Sequence, residues 1–257
     1  MADNNNISAK PKGKKGNKKN PKVKHFPNRV KTGAIEQNEI SNLQSRYKTV
    51  DPSTVKTFKD LPLSKKTLQG LQENKYVVPT KVQQESILLA LRGLDVLGAA
   101  ETGSGKTLAF LIPVLERLYC KQWTSLDGLG ALIITPTREL ALQIFDTFKK
   151  VGHLHDFSAG LIIGGKDLNF EKKRLHRCNI MICTPGRLLH HMDENPLFDC
   201  SRLEMLIIDE ADRCLDSGFQ DAMNGILENI HSERQTLLFS ATQTKYVLWQ
   251  FFIQLGF

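Results

Sequence analysis

Residues 100–107 read AETGSGKT, which is the pattern of a phosphate-binding loop. Gly103 and Gly105 let the chain bend so that backbone N–H groups converge on phosphate oxygens, while Lys106 can reach the β and γ phosphates and Thr107 can bind Mg²⁺. The loop follows the apolar stretch DVLGAA and precedes a helical apolar pattern, so we place it at a helix N-terminus, which favours anions. The strict pattern begins with Gly, where this chain has Ala.

The matching acids follow an apolar run about a hundred residues later. In the segment MLIIDEAD, Asp209 and Glu210 come directly after the run, and open α/β sheets bind ligands at the carboxyl ends of their strands. We expect Asp209 to hold Mg²⁺ through water and Glu210 to orient or deprotonate the attacking water. The alternative, a polar turn at a strand end, would leave the phosphate loop without a metal-holding acid. Together the two segments predict nucleotide hydrolysis.

The elements that must position these residues alternate along the chain. Apolar runs separated by segments of helical spacing indicate a buried parallel sheet with crossover helices. The runs lie at about residues 95–100, 131–135, 159–163, 179–183, 205–208 and 236–240. We therefore predict a single α/β domain with a central, mainly parallel sheet, and a folded segment of roughly 190 residues is ample for one core.

Further motifs make the chain resemble a known family. The strings PTKVQ, AETGSGKT, PTRELA, GG, TPGR, DEAD and SAT occur in this order between about residues 55 and 245. In this order they resemble the DEAD-box RNA helicases, in the amino-terminal, ATP-binding domain. The resemblance implies a RecA-like (P-loop NTPase) three-layer sandwich, ATP as substrate, Mg²⁺ as cofactor and RNA as partner. A small GTPase or kinase is disfavoured, because neither a guanine-reading motif nor an acceptor site accompanies these strings.

The resemblance assigns nucleotide contacts beyond the phosphate loop. Gln83 resembles the glutamine that reads the adenine edge, which an amide donor and acceptor can satisfy, and Phe58 resembles the ring that stacks on the base. Without the family, Phe58 reads as a core residue and Gln83 as a helix-surface residue. The family commonly has Gly-Phe where this chain has Lys75 and Tyr76. Lys106, Asp209 and Glu210 are the implied catalytic residues, and the implied ATP-binding residues are Phe58, Gln83, Ala100, Glu101, Thr102, Gly103, Ser104, Gly105, Lys106 and Thr107.

RNA contacts are implied at three turns. PTRELA and TPGR each follow an apolar run and open onto a helix, so their hydroxyls, backbone N–H groups and arginines can face an RNA backbone without reading its sequence. The glycine pair would allow RNA to approach closely. The same residue types are common in ordinary turns, and Arg138 could pair with an acid instead. The implied residues are Pro136, Thr137, Arg138, Gly164, Gly165, Thr184, Pro185, Gly186 and Arg187.

Two further expectations rest on the resemblance alone. Asp212, Ser240 and Thr242 would couple the nucleotide state to RNA unwinding. The strings HDFSAGLIIGGKDL, ICTPGRLL and RQTLLFSATQTK look most like the nucleolar branch that acts in small-subunit ribosome biogenesis. This branch implies a monomer in the nucleus and nucleolus that acts on pre-ribosomal RNA or small nucleolar RNA, with pre-ribosomal proteins as further partners and no membrane.

Positive charge is concentrated at the amino terminus. Residues 1–31 hold ten Lys and Arg against Asp3 alone, a charge of +9, whereas the 257-residue chain carries +8, so the remainder sums to −1. Because apolar residues are also few there, we expect residues 1–48 to form a disordered basic arm and linker. The arm can be read as a nuclear or nucleolar address, as an RNA tether or as a solubilising tail.

The resemblance ends near residue 245. Residues 49–245 are the predicted helicase domain, and residues 246–257 read YVLWQFFIQLGF, which is too short to span a bilayer, since that needs about 20 residues. We interpret this tail as the remnant of an altered splice or reading frame. The alternatives are an apolar helix packed on the sheet and an exposed, aggregation-prone end.

The sequence shows no counterpart of the family's carboxy-terminal helicase domain. That domain brings arginines for phosphoryl transfer, and a supplied arginine is worth roughly 10³–10⁵ in turnover. We therefore expect this chain alone to bind nucleotide weakly and to hydrolyse it poorly. Two functions stay open: the ATP-binding half of an RNA helicase in ribosomal RNA processing, and a non-catalytic ATP- and RNA-binding module that competes with a full-length helicase.

Overall fold

A computed structural model of the chain describes residues 29–101, 103–165, 171–172, 175, 178–215 and 218–241. The helices are α1 (Arg29–Thr49), α2 (Lys65–Glu73), α3 (Lys81–Leu91), α4 (Lys106–Cys120), α5 (Arg138–Val151), α6 (Pro185–Glu194), α7 (Ala211–Cys214) and α8 (Gln220–Glu228). The strands are β1 (Val96–Ala99), β2 (Ala131–Ile134), β3 (Ala159–Ile162), β4 (Ile180–Cys183), β5 (Met205–Asp209) and β6 (Gln235–Ser240). Two 3₁₀ turns lie at Pro52–Thr54 and Phe58–Asp60.

Within the described residues the strands form one sheet in the order β1-β6-β5-β2-β4-β3, and every neighbouring pair is parallel. Each apolar run in the sequence corresponds to one of these strands. The four inner strands are buried along their whole length, which explains why they read as continuous apolar runs rather than alternating ones. The predicted α/β class with a parallel sheet is confirmed.

Alternate strand residues divide between two apolar clusters, one on each face of the sheet. On one face, Ile133 and Phe239 pack with helices α3, α4 and α5. On the other face, Leu132 packs with Leu188 of α6 and Met223 of α8. Because side chains alternate along a strand, a helix layer is needed on each side. The result is the three-layer arrangement that the family resemblance implies.

The structure differs from the prediction of a disordered arm and linker over residues 1–48. Residues 1–28 lie outside the described part of the chain, but α1 is a helix that buries Ile40, Leu43 and Tyr47 against Tyr119 of α4. Three apolar residues at positions i, i+3 and i+7 lie on one helix face. The surrounding polar and basic residues masked this short stripe. Packed structure therefore extends toward the amino terminus at least as far as Ile40.

A buried carboxylate joins α1 to the domain. The Glu116 side chain on α4 is fully buried and accepts hydrogen bonds from Tyr47 Oη at 3.3 Å, from the Ser64 backbone N–H at 2.9 Å and from Ser64 Oγ at 2.7 Å. Burial raises the pKa of the Glu116 carboxyl, and these hydrogen bonds oppose part of that rise. Three segments that are distant in sequence thus meet on one side chain.

No helix in the described part of the chain has both the length and the apolar character needed to cross a membrane. The predicted tail at residues 246–257 lies outside that part.

Candidate functional site

The phosphate loop lies where the sequence places it, between β1 and α4. Gly103 and Gly105 adopt left-handed backbone conformations with φ of 83° and 94°, which glycine adopts without steric strain. Lys106 begins α4 and is buried, and its Nζ donates a hydrogen bond of 3.0 Å to the Ala100 carbonyl. This bond joins the two ends of the loop, Ala100 and Lys106. Thr102 lies outside the described residues.

Other predicted loop residues are accessible. Glu101 and Gly103 are exposed, and Ser104 is half-buried. Thr107, the predicted Mg²⁺ ligand, is half-buried in the first turn of α4. A nucleotide can thus reach these positions from solvent.

Gln83 connects the phosphate loop to the start of α3. Its Nε2 donates to the Gly105 carbonyl at 2.9 Å, and its Oε1 accepts from the Thr80 backbone N–H at 2.8 Å. A Cβ added to Gly105 would lie 2.5 Å from Gln83 Nε2, and the φ of 94° is strained for any other residue, so a substitution here would displace the Gln83 amide. Gln83 is 3% exposed and is not the helix-surface residue of the alternative reading. Its contact with adenine stays a prediction.

Phe58 is also 3% exposed and belongs to the apolar cluster that contains α3 and α4. Its backbone N–H donates to the Val77 carbonyl at 3.0 Å. Stacking of its ring on a base stays a prediction, since the ring is enclosed by core side chains. At the position where the family commonly has glycine, Lys75 adopts a left-handed backbone conformation with φ of 61°.

Asp209 ends β5 and Glu210 follows it, on the same edge of the sheet as the phosphate loop. Asp209 is buried, and this burial raises the pKa of its carboxyl to about 6, although nearby Lys106 acts to lower it. Glu210 is buried with φ of 49°, and its Oε2 accepts a 3.1 Å hydrogen bond from Arg213 Nη1. The structure therefore brings Lys106 and both predicted acids into one site.

Strand order places β6 between β1 and β5. Ser240, at the end of β6, is buried, and its carbonyl accepts from the Ala100 backbone N–H at 2.9 Å. The predicted coupling residue Ser240 thus lies between the phosphate loop and Asp209, and Asp212 lies half-buried in α7. Thr242 lies outside the described residues. Coupling itself stays a prediction.

The residues of this edge suit Mg²⁺ bound together with a nucleotide. Burial disfavours the anionic form of Asp209, so a cation beside it would relieve that penalty. Among residues 29–241, as far as they are described, no group of three or more His, Cys, Asp and Glu could hold a metal. Mg²⁺ that is bound with a nucleotide is typically held by one or two carboxylates together with substrate phosphates, so Asp209 would not need a cluster of further protein ligands for this role.

The predicted RNA-binding turns converge on the adjacent part of the same edge. Strands β2, β4 and β3 are neighbours, and the Thr135 N–H donates to the Cys183 carbonyl at 3.0 Å while the Thr184 N–H donates to the Ile162 carbonyl at 3.1 Å. Thr137 caps α5 by accepting from the Leu140 N–H at 3.3 Å. The helices α5 and α6 therefore both begin at this edge. Pro136, Thr184 and Pro185 are buried, Thr137 is half-buried, and Arg138 and Gly186 are exposed.

Arg138 lies against the glycine pair. A Cβ added to Gly164 would lie 2.8 Å from Arg138 Nη2, and one added to Gly165 would lie 3.1 Å from Nη1. Gly165 also has φ of 91°. The sequence predicts close approach of RNA at these glycines. In the structure they make room for the Arg138 guanidinium.

Sequence reasoning missed three side chains near the site. Arg213 holds Glu210, and its i, i+3 spacing from that acid was an available signal. Glu171 accepts a hydrogen bond from the predicted RNA-binding residue Arg187, and His191 donates to the same Glu171 oxygen. Glu171 lies 16 residues from Arg187, and no periodic pattern connects residues at such a separation.

Comparisons with known proteins agree with this geometry. The chain matches the DEAD/DEAH box helicase family over residues 80–248. It is 62% identical over 213 residues to a probable ATP-dependent RNA helicase, DDX10, of Mus musculus, and 55% identical over 212 residues to the ATP-dependent RNA helicase DBP4 of Coccidioides immitis. These alignments cover 83% and 82% of this chain but 24% and 26% of the two relatives. The chain thus spans about a quarter of the length of these relatives.

A solved structure is similar as well. The crystal structure of a DEAD box protein from the hyperthermophile Methanococcus jannaschii matches with a TM-score of 0.70 and 33% sequence identity. The match covers 76% of this chain and 52% of that one. It includes the parallel sheet and the helices on both of its faces.

Proposed function

Because the chain belongs to the DEAD/DEAH box helicase family, we propose that it forms the ATP-binding, RecA-like half of an ATP-dependent RNA helicase. The observation that carries the proposal is the meeting of Lys106, Asp209 and Glu210 at the carboxyl edge of the sheet, next to the turns that end β2, β3 and β4. A phosphate loop, a metal-holding acid and a water-orienting acid are the parts that ATP hydrolysis needs.

The residues divide the chemistry as follows. Lys106 exchanges the Ala100 carbonyl for the β and γ phosphates, and the first N–H groups of α4 bind the same anions. Thr107 and Asp209 would hold Mg²⁺, which neutralises charge on the phosphates when it is bound. Glu210 orients or deprotonates the attacking water. Its contact with Arg213 fixes the direction in which its carboxylate points.

RNA is bound through its backbone in this proposal. The exposed guanidinium of Arg138 and the helix N-termini of α5 and α6 attract phosphate without reading bases. The +9 charge of residues 1–31 adds a salt-sensitive attraction of the same kind. Duplex remodelling would follow from clamping the strand between this domain and the family's second domain.

The strings that resemble the nucleolar branch support a role in ribosomal RNA processing. The proposed substrate is pre-ribosomal RNA or small nucleolar RNA, and the proposed location is the nucleus and nucleolus. The protein acts as a monomer, with pre-ribosomal proteins as further partners. Identities of 55–62% to proteins named as RNA helicases support RNA as the polymer.

The test separates nucleotide binding from turnover. A fluorescent ATP analogue scores binding, and phosphate release is followed with and without single-stranded RNA, with Glu210→Gln as the blank. We expect nucleotide binding that is lost in Lys106→Ala, and slow turnover, because the arginine worth roughly 10³–10⁵ in rate comes from the second domain in this family. No specific nucleotide binding would reject the proposal.

Turnover decides between the two candidate functions. RNA-stimulated turnover that disappears in Glu210→Gln would make these 257 residues a working ATPase. Nucleotide and RNA binding without turnover would support the second candidate, a non-catalytic module that competes with a full-length helicase. In either candidate, nucleotide binding must replace the contact of Lys106 with the Ala100 carbonyl.

A further inference from the structure

One carboxylate oxygen joins two side chains beneath the predicted RNA-binding edge. Glu171 Oε2 accepts a 2.9 Å hydrogen bond from Arg187 Nε and a 2.8 Å hydrogen bond from His191 Nε2. The exposed fractions of the three side chains are 5% for Glu171, 12% for Arg187 and 0% for His191. Arg187 is thus turned mostly into the protein, whereas the neighbouring Gly186 is exposed.

Charge balance and burial favour continued contact among Glu171, Arg187 and His191. Since Glu171 Oε2 is the acceptor, His191 must carry a proton on Nε2, and one positive guanidinium then balances one negative carboxylate. Burial lowers the pKa of His191, which keeps its ring neutral. An ion pair buried in this way contributes little net stability, but removal of one partner leaves an unpaired buried charge and is strongly unfavourable.

The cluster joins two parts of the RNA-binding edge. Arg187 lies in the first turn of α6 and His191 lies one turn later on the same face. Glu171 belongs to the segment that follows the glycine pair at 164 and 165. Thr184, the residue before α6, is itself bonded to the end of β3 through the Ile162 carbonyl. The start of α6 is therefore held from two directions.

The surface presented by this turn fits a phosphate group. Nothing lies within 4 Å of a Cβ added to Gly186, so the first turn of α6 is open to solvent, with backbone N–H groups that point out of the helix end. Such N–H groups bind phosphate oxygens well only if the turn is held in place. Arg187 is the side chain of this turn that the buried cluster holds.

We propose that Glu171, Arg187 and His191 are positioning residues for RNA: His191 orients the Glu171 carboxylate, and Glu171 holds Arg187 inward. Arg187 in turn fixes the amino end of α6 so that the backbone of this turn contacts an RNA phosphate. This replaces the role of direct RNA ligand that the sequence implies for Arg187. The inference rests on the proposed RNA-binding function.

The test uses the full chain and two readouts. Amide hydrogen exchange of Thr184 and of residues 186–188 is measured without RNA, and affinity for a fluorescent single-stranded oligouridylate is measured across a salt series. In Glu171→Gln we expect faster exchange and RNA affinity reduced about tenfold, because the buried guanidinium loses its charged partner. His191→Leu should behave alike, and His191→Gln, whose amide can still donate to Glu171, should restore both readouts.

The salt series separates positioning from direct contact. Loss of a phosphate ligand flattens the dependence of log affinity on log salt by about 0.7 for a single strand. We expect Arg187→Met to weaken binding with an unchanged slope, and Arg138→Met to flatten it. Glu194→Gln is the matched control, because Glu194 is a more exposed acid at the other end of α6, paired to Lys172 and His190. It should change neither readout.

Three outcomes count against the inference. Exchange and RNA affinity in Glu171→Gln that equal those of the Glu194→Gln control would overturn it, and so would a flattened salt slope in Arg187→Met. If the unaltered chain binds no RNA at all, the proposed function fails and this inference fails with it. If the unaltered chain binds RNA and Glu171→Gln binds equally well, only the inference fails.

Discussion

The Gln83 side-chain amide donates a 2.9 Å hydrogen bond to the carbonyl of Gly105, at the end of the phosphate loop. Its oxygen is engaged as well, by the Thr80 N–H. An amide has two N–H donors and two acceptor lone pairs, and each of these bonds uses one. Gln83 can therefore hold the loop and still offer adenine one donor and one acceptor. We therefore predict that base recognition and loop geometry share one side chain.

Glu in place of Gln83 should weaken nucleotide binding. In Gln83→Glu the donor to the Gly105 carbonyl becomes an oxygen, while the contact with the Thr80 N–H is kept. We expect a loss of about tenfold in affinity for the fluorescent ATP analogue, because two acceptors then face each other in a buried position. Gln84→Glu, at the next residue of α3, is the control and should bind like the unaltered chain. Equal affinities for both variants would contradict the prediction.

Because Arg138 contacts the glycine pair, the effect of Gly164→Ala on RNA affinity should depend on whether Arg138 is present. Gly164→Ala should displace the guanidinium, because its Cβ would lie 2.8 Å from Arg138 Nη2. We expect RNA affinity to fall severalfold in Gly164→Ala, and to fall much less when Arg138→Ala is already present. A double-mutant cycle on RNA affinity measures this coupling. Additive losses would show instead that Gly164 itself lies against RNA.

His155 should make stability depend on pH. Its Nε2 lies 2.9 Å from Thr67 Oγ1, and its ring stacks on Phe157 with centroids 5.2 Å apart. Burial lowers the pKa of His155 from 6.5 to about 4. The unfolded chain therefore binds more protons between these values, so stability is complete above pH 6.5 and declines as the pH falls toward 4. The loss is on the order of 3 kcal/mol.

Urea unfolding at pH 7 and at pH 4.5 measures this effect. In His155→Phe, which keeps an aromatic ring, the free energy of unfolding should fall less between the two pH values than in the unaltered chain. The control is His153→Gln, since His153 is a half-exposed histidine two residues away. It should retain the full pH dependence. If His155→Phe also retains it, burial of His155 is not the source.

Lys75→Gly should stabilise the fold. Lys75 adopts φ of 61°, a left-handed conformation that costs a residue with a Cβ roughly 1–2 kcal/mol. Glycine relieves this strain but gives the unfolded chain more freedom, so we expect a net gain of about 0.5–1 kcal/mol in the free energy of unfolding. Lys65→Gly, in the first turn of α2, should be destabilising. Thermal and urea unfolding check both variants.

The sequence predicted the sheet and the nucleotide site because both leave local signals. Each buried strand is an apolar run, and Lys106 and Asp209 belong to short motifs whose chemistry is fixed by residue type. The helix α1 was missed because only Ile40, Leu43 and Tyr47 mark its buried face among polar neighbours. The contact of Arg138 with Gly164 and the bonds of Glu171 depend on strand order. That order pairs residues far apart in the chain, and periodicity does not report it.

The pairing of β1 with β6 has a consequence for how the protein is made. Ala99, just before the phosphate loop, pairs with Ser240, and in the described part of the sheet β1 has no other neighbour. During synthesis at roughly 5–20 residues per second, the ribosome delivers β6 on the order of ten seconds after β1. The phosphate loop is therefore among the first parts of the site to be translated. Its supporting strand, β6, is synthesised last of the strands in the described sheet. A nascent chain in this interval exposes an apolar strand edge, which is when a chaperone would be most needed.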